Sequence, residues 1–179
     1  MAGMALSVCW LLDEEAERSV RDLWRRLEVA GVPSLLSHTH GRHVPHLTLA
    51  AVPGDDLDLG AVRRTLSALP SGDPLPLRFD ALGVFPRSRC WLATAPSGEM
   101  IARQQRVARA VTASGARLHR HYRPGAWIPH LTLAPRLRLD DLGTVSARVN
   151  ETLPLAATVR QAALVDTSVG RVEPLPLLL

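Results

Sequence analysis

The 179-residue sequence predicts an α+β fold, bilobal and internally duplicated, with two mainly antiparallel sheets around a central cleft and helices on the outside. Three observations lead to this. Pro45-His46-Leu47-Thr48-Leu49-Ala50 recurs letter for letter as Pro129-His130-Leu131-Thr132-Leu133-Ala134, and a repeat sets an architecture before any single residue is interpreted. Strand and helix patterns follow one another in mixed order, with no Gly-rich phosphate loop at a strand-to-helix turn, which argues against a doubly wound nucleotide fold. A composition of 46% hydrophobic and 21% charged residues supplies enough apolar surface to offset chain entropy in one domain of this length. The reading is a single domain over 1–179 built of two halves, approximately 1–84 and 85–179.

The repeat extends past the hexapeptide. At the same offset of 84 residues Asp56 matches Asp140, Arg64 matches Arg148 and Leu69-Pro70 matches Leu153-Pro154. Upstream, Cys9-Trp10-Leu11 is echoed by Cys90-Trp91-Leu92. Each half parses as strand, helix, strand, helix, strand. Strands are expected near 4–12, 33–38, 45–52, 75–84, 89–95, 128–136, 157–167 and 172–178. The first helix opens at Asp13 as N-cap, carries apolar residues at Ala16, Val20, Leu23, Trp24 and Leu27, and stops at Gly31. Its counterpart is capped by Ser97 and runs through Met100, Gln104, Val107, Ala108 and Val111 to Gly115. Shorter helices follow Asp55-Asp56 and Asp140-Asp141 and end before Pro70 and Pro154.

On a strand, residues two apart share a face, so His46 and Thr48 point one way while Leu47 and Leu49 point the other, and the same holds for His130 and Thr132. A two-fold arrangement would converge two imidazoles and two hydroxyls on one pocket. That inventory suits a phosphodiester. One neutral histidine takes a proton from the attacking water, and the other, protonated, gives one to the leaving oxygen. An ordinary imidazole pKa makes both states available near neutral pH. The threonine hydroxyls can donate to the non-bridging phosphate oxygens.

These paired His-x-Thr motifs, on strands roughly 80 residues apart, resemble the 2H phosphoesterase superfamily, and within it the bacterial 2′-5′ RNA ligase-like and RNA 2′,3′-cyclic phosphodiesterase branch. The run from Arg123-Pro124 through Trp127-Ile128-Pro129 is similar to the Arg-Pro-aromatic approach to that branch's second motif. The resemblance implies His46, Thr48, His130 and Thr132 as catalytic residues, no cofactor and no metal. It also implies RNA with a 2′,3′-cyclic phosphate end, or a small cyclic nucleotide, as substrate. Ligation at the same site, or a module that binds phosphate or RNA ends without turnover, would use the same residues. Members of that branch often carry a basic residue directly after the second motif, whereas here Ala134-Pro135 intervenes before Arg136.

Other residues admit both functional and ordinary readings. Arg42, His43, Tyr122, Arg123, Trp127 and Arg136 are candidate substrate-binding residues by position beside the motifs. Tyr122 and Trp127 fit either a base stack or core packing, while Trp10, Trp24 and Trp91 read as core. The run His38-x-His40-x-x-His43-x-x-His46 matches no zinc spacing. Cys9 and Cys90 read as buried apolar residues, outside any C-x-x-C pair. All 21 basic residues are arginine, so the net charge of +4 leans only weakly towards anionic ligands. With no apolar run of bilayer length and no basic flank to the first apolar stretch, a cytoplasmic monomer that does not engage a membrane is expected.

Overall fold

The computed structural model describes residues 6–54, 57–86 and 88–179. The chain runs β1 (Leu6–Leu12), α1 (Glu14–Val29), β2 (His46–Val52), α2 (Leu59–Ser67), β3 (Leu75–Phe85), β4 (Arg89–Thr94), α3 (Gly98–Ala113), β5 (His130–Ala134), α4 (Leu142–Asn150), β6 (Leu155–Asp166) and β7 (Arg171–Pro174). The long helices start where their caps dictate. The Asp13 carboxylate accepts the Glu15 and Ala16 N–H groups, and the Ser97 hydroxyl accepts that of Met100. Asp58 caps α2 through Ala61, whereas Asp55-Asp56 lies outside the described residues.

Instead of two sheets, the described strands form one antiparallel sheet in the order β2-β1-β6-β3-β4-β5, with β7 added to β6. The reason is strand length. β3 and β6 are 11 and 12 residues long, so each pairs along one stretch with a strand of the other sequence half, β3 with β4 and β6 with β1, and still has a stretch left over. Those stretches pair with each other from Leu75↔Val159 to Phe79↔Leu155, fusing what would have been separate sheets. One apolar core runs beneath all of it, with Trp10, Leu47, Leu49, Phe79, Leu92, Leu131 and Leu133 completely buried against the helices.

Two expected strands change. Residues 33–38 form turns, because the Glu28 carboxylate gathers the Ser34 and Ser37 hydroxyls and the Ser37 N–H, folding the chain back on the end of α1. β7 stops at Pro174, beyond which Leu178 and Leu179 turn into the core. The Cys-Trp-Leu echo is also out of register with the fold. Cys9 lies opposite Thr48 in the β1–β2 pair, but Trp91, not Cys90, lies opposite Thr132 in the β4–β5 pair. A one-residue slip exchanges sheet faces. Trp10 therefore enters the core, whereas Trp91 comes out on the face that carries His130 and Thr132, correcting its reading as a core residue.

Candidate active site

β2 and β5 are the two ends of the sheet, and the sheet curls until they lie near one another. Among the described residues, neither pairs a further strand on its outer edge. Each is instead held by the connector that leads into the other. The Trp127 indole N–H donates to Thr48 O at 2.9 Å and the His119 N–H to Ala51 O at 2.8 Å, both from the segment before β5. From the segment before β2, the Leu35 N–H donates to Leu133 O at 3.0 Å. The Gln104 amide, buried on α3, adds bonds to Leu49 O and Tyr122 O.

Along both strands exposure alternates. His46, Thr48, His130 and Thr132 are half-buried on the open face, and the leucines between them are fully buried. The two imidazoles are held alike. His46 Nδ1 donates to Val44 O at 2.7 Å, and His130 Nδ1 to Ile128 O at 2.7 Å. A carbonyl has no proton to give, so Nδ1 carries the hydrogen in both rings and Nε2 is left as the free base. Burial pushes the His46 pKa down against the Val44 bond. It pushes His130 down to about 4, aided by the charges of Arg89 and His46 and opposed by the Ile128 bond. Both rings are therefore neutral at pH 7 in the free protein, a departure from the ordinary imidazole behaviour expected of them.

The surroundings of the two threonines differ. Thr48 has the Cys9 Sγ at 3.7 Å and the Tyr122 hydroxyl as a close neighbour. Burial pushes both neighbours up, Tyr122 above its ordinary value and Cys9 to about 12, so each keeps its proton and the thiol is no nucleophile. Thr132 lies across from Trp91, whose ring stacks on Phe85.

The remaining candidates divide. Tyr122, half-buried, reaches the site beside Thr48, whereas Trp127 is buried and tied to Thr48 O, so its ring is not free to stack a base. His43 lies near His46 and under His40, its ring 4.2 Å from that of His40, and burial lowers its pKa to about 4 with help from its histidine neighbours. Arg136 acts on His38 through its charge and is exposed. Arg42 is exposed, with its Cβ beside Gly170 of the β6–β7 turn, and Arg123 lines a groove with Arg117 and Pro124 at the C-terminal end of α3. Among the described residues, no group of three His, Cys, Asp or Glu side chains is arranged to hold a metal, and no helix is long and apolar enough to cross a membrane. Sequence reasoning missed Arg89, Phe85 and Trp91. Arg89 is the cation whose field reaches His130, His38 and Tyr122. Alternation along β4 was the available signal, since Arg89 and Trp91 share a face.

The family model of the 2′-5′ RNA ligase superfamily matches residues 12–171. No curated protein matches the sequence. Among solved structures, E. coli LigT in apo form is similar at 18% identity and a TM-score of 0.63, over 98% of this chain and 96% of that one. E. coli LigT complexed with 3′-AMP gives 18% and 0.62, over 99% of each chain. Kluyveromyces marxianus Usb1 gives 13% and 0.54, over 97% of this chain and 99% of that one.

Proposed function

The chain belongs to the 2′-5′ RNA ligase superfamily, the 2H phosphoesterases, and on that footing we propose that it hydrolyses a 2′,3′-cyclic phosphate, on an RNA end or a small cyclic nucleotide, by two-histidine acid–base catalysis. The observation that carries this reading is the matched pair of imidazoles, each fixed by a carbonyl two residues upstream so that a bare Nε2 is offered beside a threonine hydroxyl. In this reading the halves, approximately 1–84 and 85–179, bring one motif each to a shared cleft, and a monomer suffices because one chain supplies every group. The LigT complex with 3′-AMP is consistent with a nucleotide-sized ligand.

The reaction balances as follows. Water attacks phosphorus while its proton passes to Nε2 of one histidine; one of the two ring P–O bonds to the ribose breaks, and the oxygen it releases takes the proton from Nε2 of the other. Exchange with solvent restores the starting states. Thr48 and Thr132 donate to the non-bridging oxygens, where charge is held through the transition state. The anionic phosphate supplies what the free site lacks, since a negative charge next to a half-buried imidazole favours its protonated form and turns one of two neutral rings into an acid. None of these roles calls on a metal, so hydrolysis is expected to survive chelation.

The test is hydrolysis of 2′,3′-cyclic AMP by the wild type and by His46→Ala and His130→Ala. Each substitution is expected to reduce kcat on the order of 10³-fold or more, with circular dichroism unchanged. Full turnover by the doubly substituted protein would end the proposal, and the appearance of a 2′-5′ linkage from RNA ends would redirect it to ligation.

A further inference from the structure

Of the molecule's aromatic rings, Trp10, Trp24 and Phe79 are fully buried, Trp127 is buried against β2, and Tyr122 lies beside Thr48. The two left, Phe85 and Trp91, lie together on the open face of the sheet. Their ring centroids are 4.7 Å apart at 29°. The His130 ring stands perpendicular to Phe85 at 4.9 Å and lies 5.8 Å from Trp91. Both aromatic residues are half-buried, with no core to justify their position.

The backbone makes room for this pair. Gly83 faces Trp91 across the β3–β4 ladder, and a Cβ there would collide with the indole ring. Only glycine lets the indole lie down on the strand. The indole Nε1–H is buried and meets no acceptor among the described residues, and a buried donor without a partner is costly unless something else supplies one. Arg89, two residues earlier on the same face, is exposed and makes no ion pair among the described residues. A flat apolar surface, an idle donor at its edge, a free cation and a histidine of the phosphate site therefore share one wall.

We infer that the Phe85–Trp91 pair is the seat for the nucleobase of the substrate whose phosphate sits between His46 and His130. The inference rests on the proposed hydrolase reading and adds to it that recognition of the base belongs to the His130 side of the cleft. Every base has a π-face, so stacking there contributes affinity with little sequence preference. The His46 side has no counterpart, because Cys9 stands where Trp91 stands.

The competing reading is that the rings do no more than wall His130. Two substrates separate the two: 2′,3′-cyclic AMP, and 1-O-methylribose 2′,3′-cyclic phosphate, which keeps the reacting group and lacks the base. The wild type is expected to prefer the nucleotide in kcat/KM by roughly tenfold or more. Phe85→Ala is expected to bring that ratio close to one, and Phe85→Tyr to retain it. If Phe85→Ala lowers kcat/KM for both compounds together and leaves the ratio intact, the rings serve only His130 and the inference is wrong. Should the wild type turn over neither compound, the hydrolase reading fails first. Calorimetric Kd values for the same two compounds then judge the platform, since equal Kd values would overturn it and a ratio lost in Phe85→Ala would uphold it.

Discussion

At the residue scale the two motifs are alike in chemistry and unlike in support. Each histidine is fixed in one tautomer by a backbone carbonyl, but Thr48 has the Tyr122 hydroxyl for a neighbour whereas Thr132 has Trp91; Tyr122 keeps its proton and is placed to donate to Thr48, leaving the threonine's own hydrogen for phosphate. Tyr122→Phe is expected to lower kcat about threefold to tenfold. In a double-mutant cycle its effect should vanish in a Thr48→Val background and persist in Thr132→Val. Equal effects in both backgrounds would show that Tyr122 does not act through Thr48. The depressed imidazoles set the pH dependence. A lowered pKa leaves the ring neutral at higher pH, so the fraction of free enzyme holding one acid and one base falls about tenfold for each pH unit above the pKa. The optimum of kcat/KM is therefore expected below 6.5, the ordinary histidine value, and that of kcat at higher pH, because bound phosphate restores the proton. A kcat/KM optimum above neutrality would contradict the burial argument. The motif residues were legible as letters, whereas the pKa displacement was not, because it arises from packing around the rings.

At the element scale, the helices were readable from their caps and apolar spacing, and the strands near the motifs from alternation. Residues 33–38 misled because their apolar letters look extended, while Glu28, near the end of α1, bonds Ser34 and Ser37 and draws the chain into turns. Asp13 has a comparable double role. Its carboxylate caps α1 and also accepts the Thr158 N–H of β6, so one side chain ties the first helix to a central strand. Burial alone would raise its pKa; the bonds from Ala16, Thr158 and Glu15 outweigh it and hold the carboxyl below the usual 3.8. The stability this confers is present above the unfolded-state value and is lost as pH falls through the folded-state one. Asp13→Ala is expected to cost about 1–2 kcal/mol, measured as a lower urea midpoint at pH 7. That difference should shrink below pH 4; a penalty that persists there undiminished would mean the carboxylate charge is not its source.

At the scale of the whole molecule, the modest net charge conceals a partition. Helical arginines such as Arg21, Arg25 and Arg103 pair with acids three or four residues away. Among the described residues, Arg42, Arg89, Arg120, Arg123 and Arg136, in the connectors and at the start of β4, make no ion pair. If two or three of them meet phosphates of an RNA strand, log(kcat/KM) for an oligonucleotide end should fall with log[salt] with a slope of about −1.4 to −2. The slope for 2′,3′-cyclic AMP should be shallower, and identical slopes would restrict the substrate to a nucleotide. The amino-acid order was sufficient for the α+β class, the repeat, the helix caps and the shared strand face of each motif's His and Thr, because periodicity and capping are local physics written within a few neighbouring positions. It was not sufficient for the single sheet, the face on which Trp91 emerges, the tie between Trp127 and Thr48, or the place of Arg89 beside His130. Those follow from strand register and from the curl that brings β2 to β5, and register is set by contacts between residues far apart in the chain, where shifting one position changes which side of the sheet a residue occupies.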